Sequence, residues 1–157
     1  MTQMNTDILA TEWERAQTGA LEFIDNIPEE HLHYRPAPES LGFAEQYLHM
    51  AEVNYMFAAS ACGVENPNQI KGADKNEDLK ASRAAMRGFV AASYAFMIES
   101  VRQLDPATLD EPVTFLRWTM PRHVVLAKAL EHHAHHRGQT AVYFRINGLK
   151  PPAERLF

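Results

Sequence analysis

The chain has 157 residues, of which 46% are hydrophobic and 22% are charged, as in an ordinary soluble globular domain. Its net charge of −5 and the lack of a Lys/Arg cluster argue against a nucleic-acid partner, because neutralising phosphates requires a basic surface. No run of the sequence approaches the roughly 18 apolar residues of a membrane span, and the single cysteine rules out an intramolecular disulfide. We expect a cytoplasmic protein that forms one domain over residues 1–157.

Four segments carry the hydrophobic period of an amphipathic helix, and the first two lie in the N-terminal half. The inner face of the first predicted helix comprises Leu9, Trp13, Ala16, Ala20, Phe23 and Ile27. Pro28 ends it. The second predicted helix follows Pro36 and Pro38, takes Ser40 as its N-cap and ends at Gly63.

The third predicted helix begins near Asn76 and ends before Pro106. The fourth begins after Pro121 and stops at Asn147-Gly148. Between them, residues 112–118 have the β-branched and aromatic content of a strand, but the run is too short to decide. The pattern predicts an all-α four-helix bundle, with one or two connections long enough to cross it.

Half of the eight histidines fall within five residues of the fourth predicted helix. His132 and His136 are one helical turn apart and share the stripe that contains Val125, whereas His133 and His135 are predicted to point elsewhere. Two imidazoles on one helical face can hold one ion between them. We therefore predict that His132 and His136 are ligands of a divalent metal.

His49 of the second predicted helix is the candidate third ligand, because open zinc sites usually have three protein ligands. Neutral imidazoles suit zinc, nickel or iron(II), whereas magnesium and calcium prefer oxygen. Two alternatives remain open on the residues alone. His49 could be a packing histidine, and the run from His132 to His136 could be a solvated face.

Two motifs extend this pattern along most of the chain. Arg35-Pro36 and Ser40 lead to His49, and His132-x-x-x-His136-Arg137-Gly138-Gln139 is followed by Tyr143-Phe144-Arg145 and Asn147-Gly148. In these motifs the chain resembles the DinB family. The resemblance implies an up-up-down-down bundle with a long crossover, frequent homodimers, and a metal bound by His49, His132 and His136.

The resemblance extends to thiol-dependent transferases of the same family. It implies a metal-dependent transferase or hydrolase that acts on a small molecule with a low-molecular-weight thiol such as bacillithiol, mycothiol or glutathione. Zinc or nickel is the expected ion, and iron is a further candidate. The alternative is a non-catalytic, metal-stabilised stress-response or binding module, because a fold and a ligand set do not define a reaction.

Further residues outside the candidate ligand set carry expectations of their own. Gln139 either hydrogen-bonds to the metal site or only joins two helices, and Glu52 either orients His49 or is exposed. Cys62 is expected in the core, and Gly138 is expected to allow another helix to approach closely. Three apolar residues could form a dimer face or complete the core: Leu21, Phe89 and Phe96.

Overall fold

The computed structural model describes residues 5–156, which form five α-helices and one β-hairpin. The helices are α1 (Thr6–Asn26), α2 (Phe43–Cys62), α3 (Glu77–Lys80), α4 (Arg83–Arg102) and α5 (Arg122–Ile146). The hairpin pairs β1 (Pro112–Phe115) with β2 (Trp118–Pro121) in antiparallel register. Within residues 5–156, no helix combines the length and apolar character needed to cross a membrane.

Local capping explains where three helices begin. The N-cap of α2 is Gly42, whose N–H donates to the Glu45 carboxylate at 2.8 Å, so the prediction of Ser40 as N-cap was wrong. The predicted third helix is divided into α3 and α4. Asn76 caps α3, whereas Ser82 has an extended backbone and caps α4 by accepting from the N–H of Ala85.

Contacts at one end of the bundle show which helix termini meet there. Arg83, the first residue of α4, donates to the carbonyl of Ile27 just beyond α1. The ring of Phe144, near the end of α5, lies 5.5 Å from that of Phe23 in α1 and 6.0 Å from that of Phe43 in α2. The ends of α1 and α5 therefore meet the beginnings of α2 and α4.

The opposite end brings the start of α5 to the end of α2, where Arg122 donates to the carbonyl of Ala61. The four long helices consequently run up, down, down and up, and the expected up-up-down-down order is wrong. The physical reason lies in the connections. Only residues 63–82, which connect α2 to α4, run back along the length of the bundle. The α1–α2 connection stays at one end and the α4–α5 connection at the other.

The interior between the four long helices is a continuous apolar cluster around the fully buried Trp13, Tyr47 and Tyr94. Leu21, Phe89 and Phe96 are partly buried and pack against this cluster, which favours a core role for them. The homodimer stays a prediction. A Cβ placed on Gly138 would meet no atom of another helix within 4 Å. The expected close approach of a helix to Gly138 is therefore wrong.

Two glycines provide a test of helix termination. Gly63 follows α2 with a φ of +68°, and a Cβ there would meet no atom within 4 Å, so Gly63→Ala adds only backbone strain. We expect this change to lower the free energy of unfolding by about 1 kcal/mol. Gly88→Ala, in the exposed interior of α4, is the control and should raise it by about 0.5–1 kcal/mol. Urea unfolding measures both, and a stabilising Gly63→Ala would contradict the argument.

Candidate metal centre

Three imidazoles from two helices converge in the space between α2 and α5. His49 lies on α2 and His132 and His136 lie on α5, and one ring nitrogen of each is within 4.8 Å of the others. The Nε2 atoms of His132 and His136 are 3.1 Å apart. The ring of His49 is centred 5.3 Å from that of His132 and 4.8 Å from that of His136. A single ion about 2 Å from both Nε2 atoms can bridge His132 and His136 at this separation, and His49 lies close enough to be a candidate third ligand.

Burial keeps two of these imidazoles neutral. It lowers the pKa of His132 to about 4, with further lowering by the neighbouring His49 and His135. It also lowers the pKa of His136 to about 3, followed by the effects of His132, His49 and His135. The neutral ring, which keeps a lone pair on nitrogen, is the form that binds a metal, so protons compete weakly at neutral pH.

The side-chain amide of Gln46 orients His136. Its Nε2 donates to Gln139 Oε1 at 2.8 Å and to the Tyr143 hydroxyl at 2.9 Å, so both amide protons are used. The Oε1 of Gln46 lies 2.5 Å from His136 Nδ1 and must therefore be the acceptor of that bond. Because Nδ1 donates, Nε2 of His136 keeps its lone pair and faces His132.

Sequence reasoning missed Gln46, although a signal was present. Gln46 precedes His49 by three residues and so lies on the same side of α2, as Gln139 does relative to His136 on α5. Gln139 joins the helices through Gln46 and donates to the exposed His135 at 2.9 Å. It is thus linked to the candidate ligand His136 only through Gln46, by two hydrogen bonds in succession.

Glu52 belongs to the crossover and not to the imidazole cluster. Its carboxylate accepts the N–H groups of Gly72 and Ala73 at 2.9 and 2.8 Å. These bonds hold the returning segment against α2. The interpretation in which Glu52 orients His49 therefore finds no support, and Glu52 is half-buried instead of exposed.

His133 is more deeply buried than the sequence pattern indicated. Only 4% of it is exposed, and its Nδ1 lies 2.5 Å from the Tyr94 hydroxyl of α4. Burial, followed by the charge of Arg137, lowers the pKa of His133 to about 3. His133 thus points elsewhere than His132 and His136, as predicted, but it is buried because Tyr94 reaches across the bundle to a second side of α5. His135 is exposed and lies outside the imidazole cluster.

An apolar cavity of about 400 Å³ opens beside the cluster. His132 lines it together with Phe57, Phe115, Trp118, Met120 and Val125. The hairpin thus forms one wall of the cavity, and α2 and α5 form the other. Within residues 5–156, no carboxylate or thiol joins the three imidazoles. The cluster therefore has three potential ligands and an apolar space next to one of them.

A comparison with family sequence models assigns the family. The sequence model of the DinB family matches residues 1–155. The chain belongs to the DinB family. Among curated proteins, no sequence matches the chain.

Two crystal structures of DinB-like proteins share the fold of this DinB-family chain. The protein from Bacillus cereus superposes with a TM-score of 0.82 at 19% sequence identity, over 99% of this chain and 100% of the other. The protein from Bacillus subtilis gives a TM-score of 0.68 at 18% identity, over 96% of each chain. At such identities the likeness concerns the fold alone.

The residues of this DinB-family chain fit a transition metal. The donors are imidazole nitrogens, which suit zinc, nickel or iron(II), and burial keeps His132 and His136 unprotonated. The nitrogen donors of His132 and His136 already lie at a separation that one ion can bridge. His49, His132 and His136 are thus the residues that could hold the ion.

The role of Gln46 is open to a direct test. Gln46→Leu removes the acceptor of the His136 Nδ1–H, so we expect about 10–100-fold weaker zinc binding with unchanged helix content. Gln46→Glu retains an acceptor oxygen and should remain closer to the unaltered protein. Competition with a zinc-chelating dye gives the affinities. Equal affinity of Gln46→Leu and the unaltered protein would show that Gln46 does not position the ligand.

The stability of the metal-free protein should fall as the pH is lowered from 7 to 5. The pKa of His133 is about 3 in the folded chain and near 6.5 in the unfolded chain, so the unfolded chain binds more protons between these values and acid favours it. His133 alone contributes up to about 1.4 kcal/mol per pH unit in this window. His133→Gln should flatten the pH dependence seen in urea unfolding, and an unchanged dependence in this variant would contradict the assignment to His133.

Proposed function

We propose that this protein is a metal-dependent enzyme in which His49, His132 and His136 hold a divalent transition metal that activates a low-molecular-weight thiol. Zinc or nickel is the first candidate ion, and iron is the next. One observation carries the proposal: three imidazoles converge beside an apolar cavity, and no carboxylate or thiol of the described residues completes the set. Three protein ligands with a free position are typical of catalytic zinc, whereas structural zinc is enclosed by four.

The chain contributes orientation of the imidazoles and an apolar wall beside them. A bound transition metal lowers the pKa of a coordinated thiol or water, which supplies a nucleophile near neutral pH. Gln46 binds Nδ1 of His136, so Nε2 of His136 is directed towards the candidate metal centre. Burial keeps the rings of His132 and His136 unprotonated. Phe57, whose ring is centred 6.1 Å from that of His132, and Phe115 give the cavity beside the site an apolar wall.

The need for an external thiol follows from the chemistry of Cys62, the single cysteine of the chain. Burial raises the pKa of its thiol to about 11, partly countered by Arg122. At neutral pH this group is protonated and is a poor nucleophile. A transfer reaction at the site would therefore use a small thiol from solution, in keeping with the thiol-dependent transferases that the chain resembles. Hydrolysis would use water in its place.

The ligand assignment predicts a specific loss of metal. His49→Ala, His132→Ala and His136→Ala should each lose stoichiometric zinc or nickel, because two imidazoles bind too weakly to retain it through purification. His135→Ala is the matched control, since His135 lies on the same helix but is exposed, and it should retain the metal. Inductively coupled plasma mass spectrometry measures the content. Full metal in both His132→Ala and His136→Ala would exclude the assignment.

A thiol-transfer screen distinguishes a catalytic role of the metal from a purely structural one. Metal-replete and metal-free protein are assayed with several thiols and small electrophiles, while circular dichroism follows the fold. We expect activity that disappears with the metal and returns with it, in a chain that stays helical throughout. Unfolding on metal removal, with no turnover for any thiol in the replete protein, would indicate the non-catalytic alternative.

A further inference from the structure

We infer that the cavity beside His132 binds a flat, uncharged aromatic group of the substrate, and that Phe115 and Trp118 of the hairpin are its main contacts. The inference rests on the proposed function, since it names the substrate class of the same site. It concerns binding only and holds for the protein with or without a metal.

The shape of the cavity suits a flat group. Its volume of about 400 Å³ lies in the range of small-molecule pockets. Phe57 and Phe115 both line the cavity and stack on each other, with ring centroids 4.0 Å apart and planes inclined by 8°, so this part of the lining is aromatic. Met120 and Val125 add a flexible thioether and a branched aliphatic surface. Aromatic rings favour offset stacking on such surfaces.

The charge of the lining excludes ions. Apart from histidines, its charged side chains are Lys128 and Glu131, which pair with each other at 2.7 Å and so cancel. A charged substrate group would enter an apolar space whose lining, apart from histidines, has no unpaired charged side chain, which is unfavourable; Arg117 lies on Trp118 but does not line the cavity. An uncharged group faces no such cost.

Trp118 is the feature that the fold itself does not require. Its side chain is 57% exposed although it lines the cavity, while Trp13 is fully buried in the core. The Arg117 guanidinium lies 5.2 Å from the centre of the indole ring. An indole held at the mouth of an apolar cavity is typical of a ligand contact, because tryptophan offers a large rigid surface at low conformational cost.

The hairpin is fixed in place independently of any ligand. Thr114 and Thr119 hydrogen-bond across the strands at 2.9 Å, and the Ser60 hydroxyl of α2 donates to the carbonyl of Thr114 at 2.9 Å. These bonds hold Phe115 and Trp118 over α2 and α5. Since His132 lines the same cavity, an aromatic group bound there would lie next to the candidate metal.

The test uses the full-length, metal-free protein without thiol, with 1,3-dinitrobenzene as an uncharged, unreactive probe and 3,5-dinitrobenzoate as its charged counterpart. We expect saturable quenching of Trp118 fluorescence by dinitrobenzene and about tenfold weaker binding of the benzoate. By calorimetry, Trp118→Ala and Phe115→Ala should weaken dinitrobenzene binding about tenfold. Leu116→Ala is the control, because Leu116 is exposed on the same hairpin but outside the cavity lining.

The outcomes separate this inference from the proposed function. Trp118→Ala changes an exposed residue and should fold normally, which circular dichroism checks. Absence of saturable binding, or equal losses in Trp118→Ala and Leu116→Ala, would overturn the inference even if thiol transfer were found. A dimer that Trp118→Ala dissociates, with no probe bound, would also overturn it by identifying a second copy as the occupant. Selective binding without any thiol activity would support it while the proposed function failed.

Discussion

The amide of Gln46 joins α2 to α5 at the point where three imidazoles converge. It makes hydrogen bonds to His136, Gln139 and Tyr143, all of which lie on α5. A slip of one helix along the other by a single turn, about 5.4 Å, would break all three bonds and leave a buried amide unpaired. This register places His49 opposite His132 and His136, so the geometry of the site depends on it.

Two other buried polar atoms of α5 lower the stability of the bundle. Nδ1 of His132 and Nε2 of His133 are buried and have no hydrogen-bond partner among the described residues. A buried donor or acceptor without a partner costs roughly 1–3 kcal/mol, so an apolar α5 would give a more stable bundle. Such groups are expected where a chain gives up stability for function, which supports a functional role for this part of α5.

The hairpin between α4 and α5 contributes less to the core than the helices do. The side chains of Leu116 and Trp118 remain largely exposed, so they contribute little to the core. Phe115 is the exception, since it stacks on Phe57 of α2 and ties the hairpin to the bundle. The four helices thus supply the rigid part that positions the imidazoles, and a short surface segment forms the space beside them. Side chains on such a segment can vary with little effect on the bundle.

The sequence pattern alone predicted the features that depend on residues close together in the chain. The hydrophobic period and the prolines predicted the four long helices, and the four-residue spacing of His132 and His136 predicted that they share a face. His49 was a candidate on the residues alone, but only the resemblance to the DinB family favoured it over a packing histidine, because a single histidine on a helix has no spacing to interpret. The interruption at Ser82 went unnoticed, since the apolar stripe continues on both sides of it.

Contacts between distant segments decided the rest. Three features depend on contacts between residues that are 39 or more positions apart. These are the up-down-down-up order, the burial of His133 against Tyr94 and the hydrogen bonds of Gln46. Hydrophobic period reports which face of a helix is buried, but it does not report which partner covers that face or in which direction that partner runs. The sequence by itself determined the helices and two of the candidate ligands. Only the packing of α2 against α5 brought the third to them, because that register is set by hydrogen bonds and side-chain shapes on two separate helices.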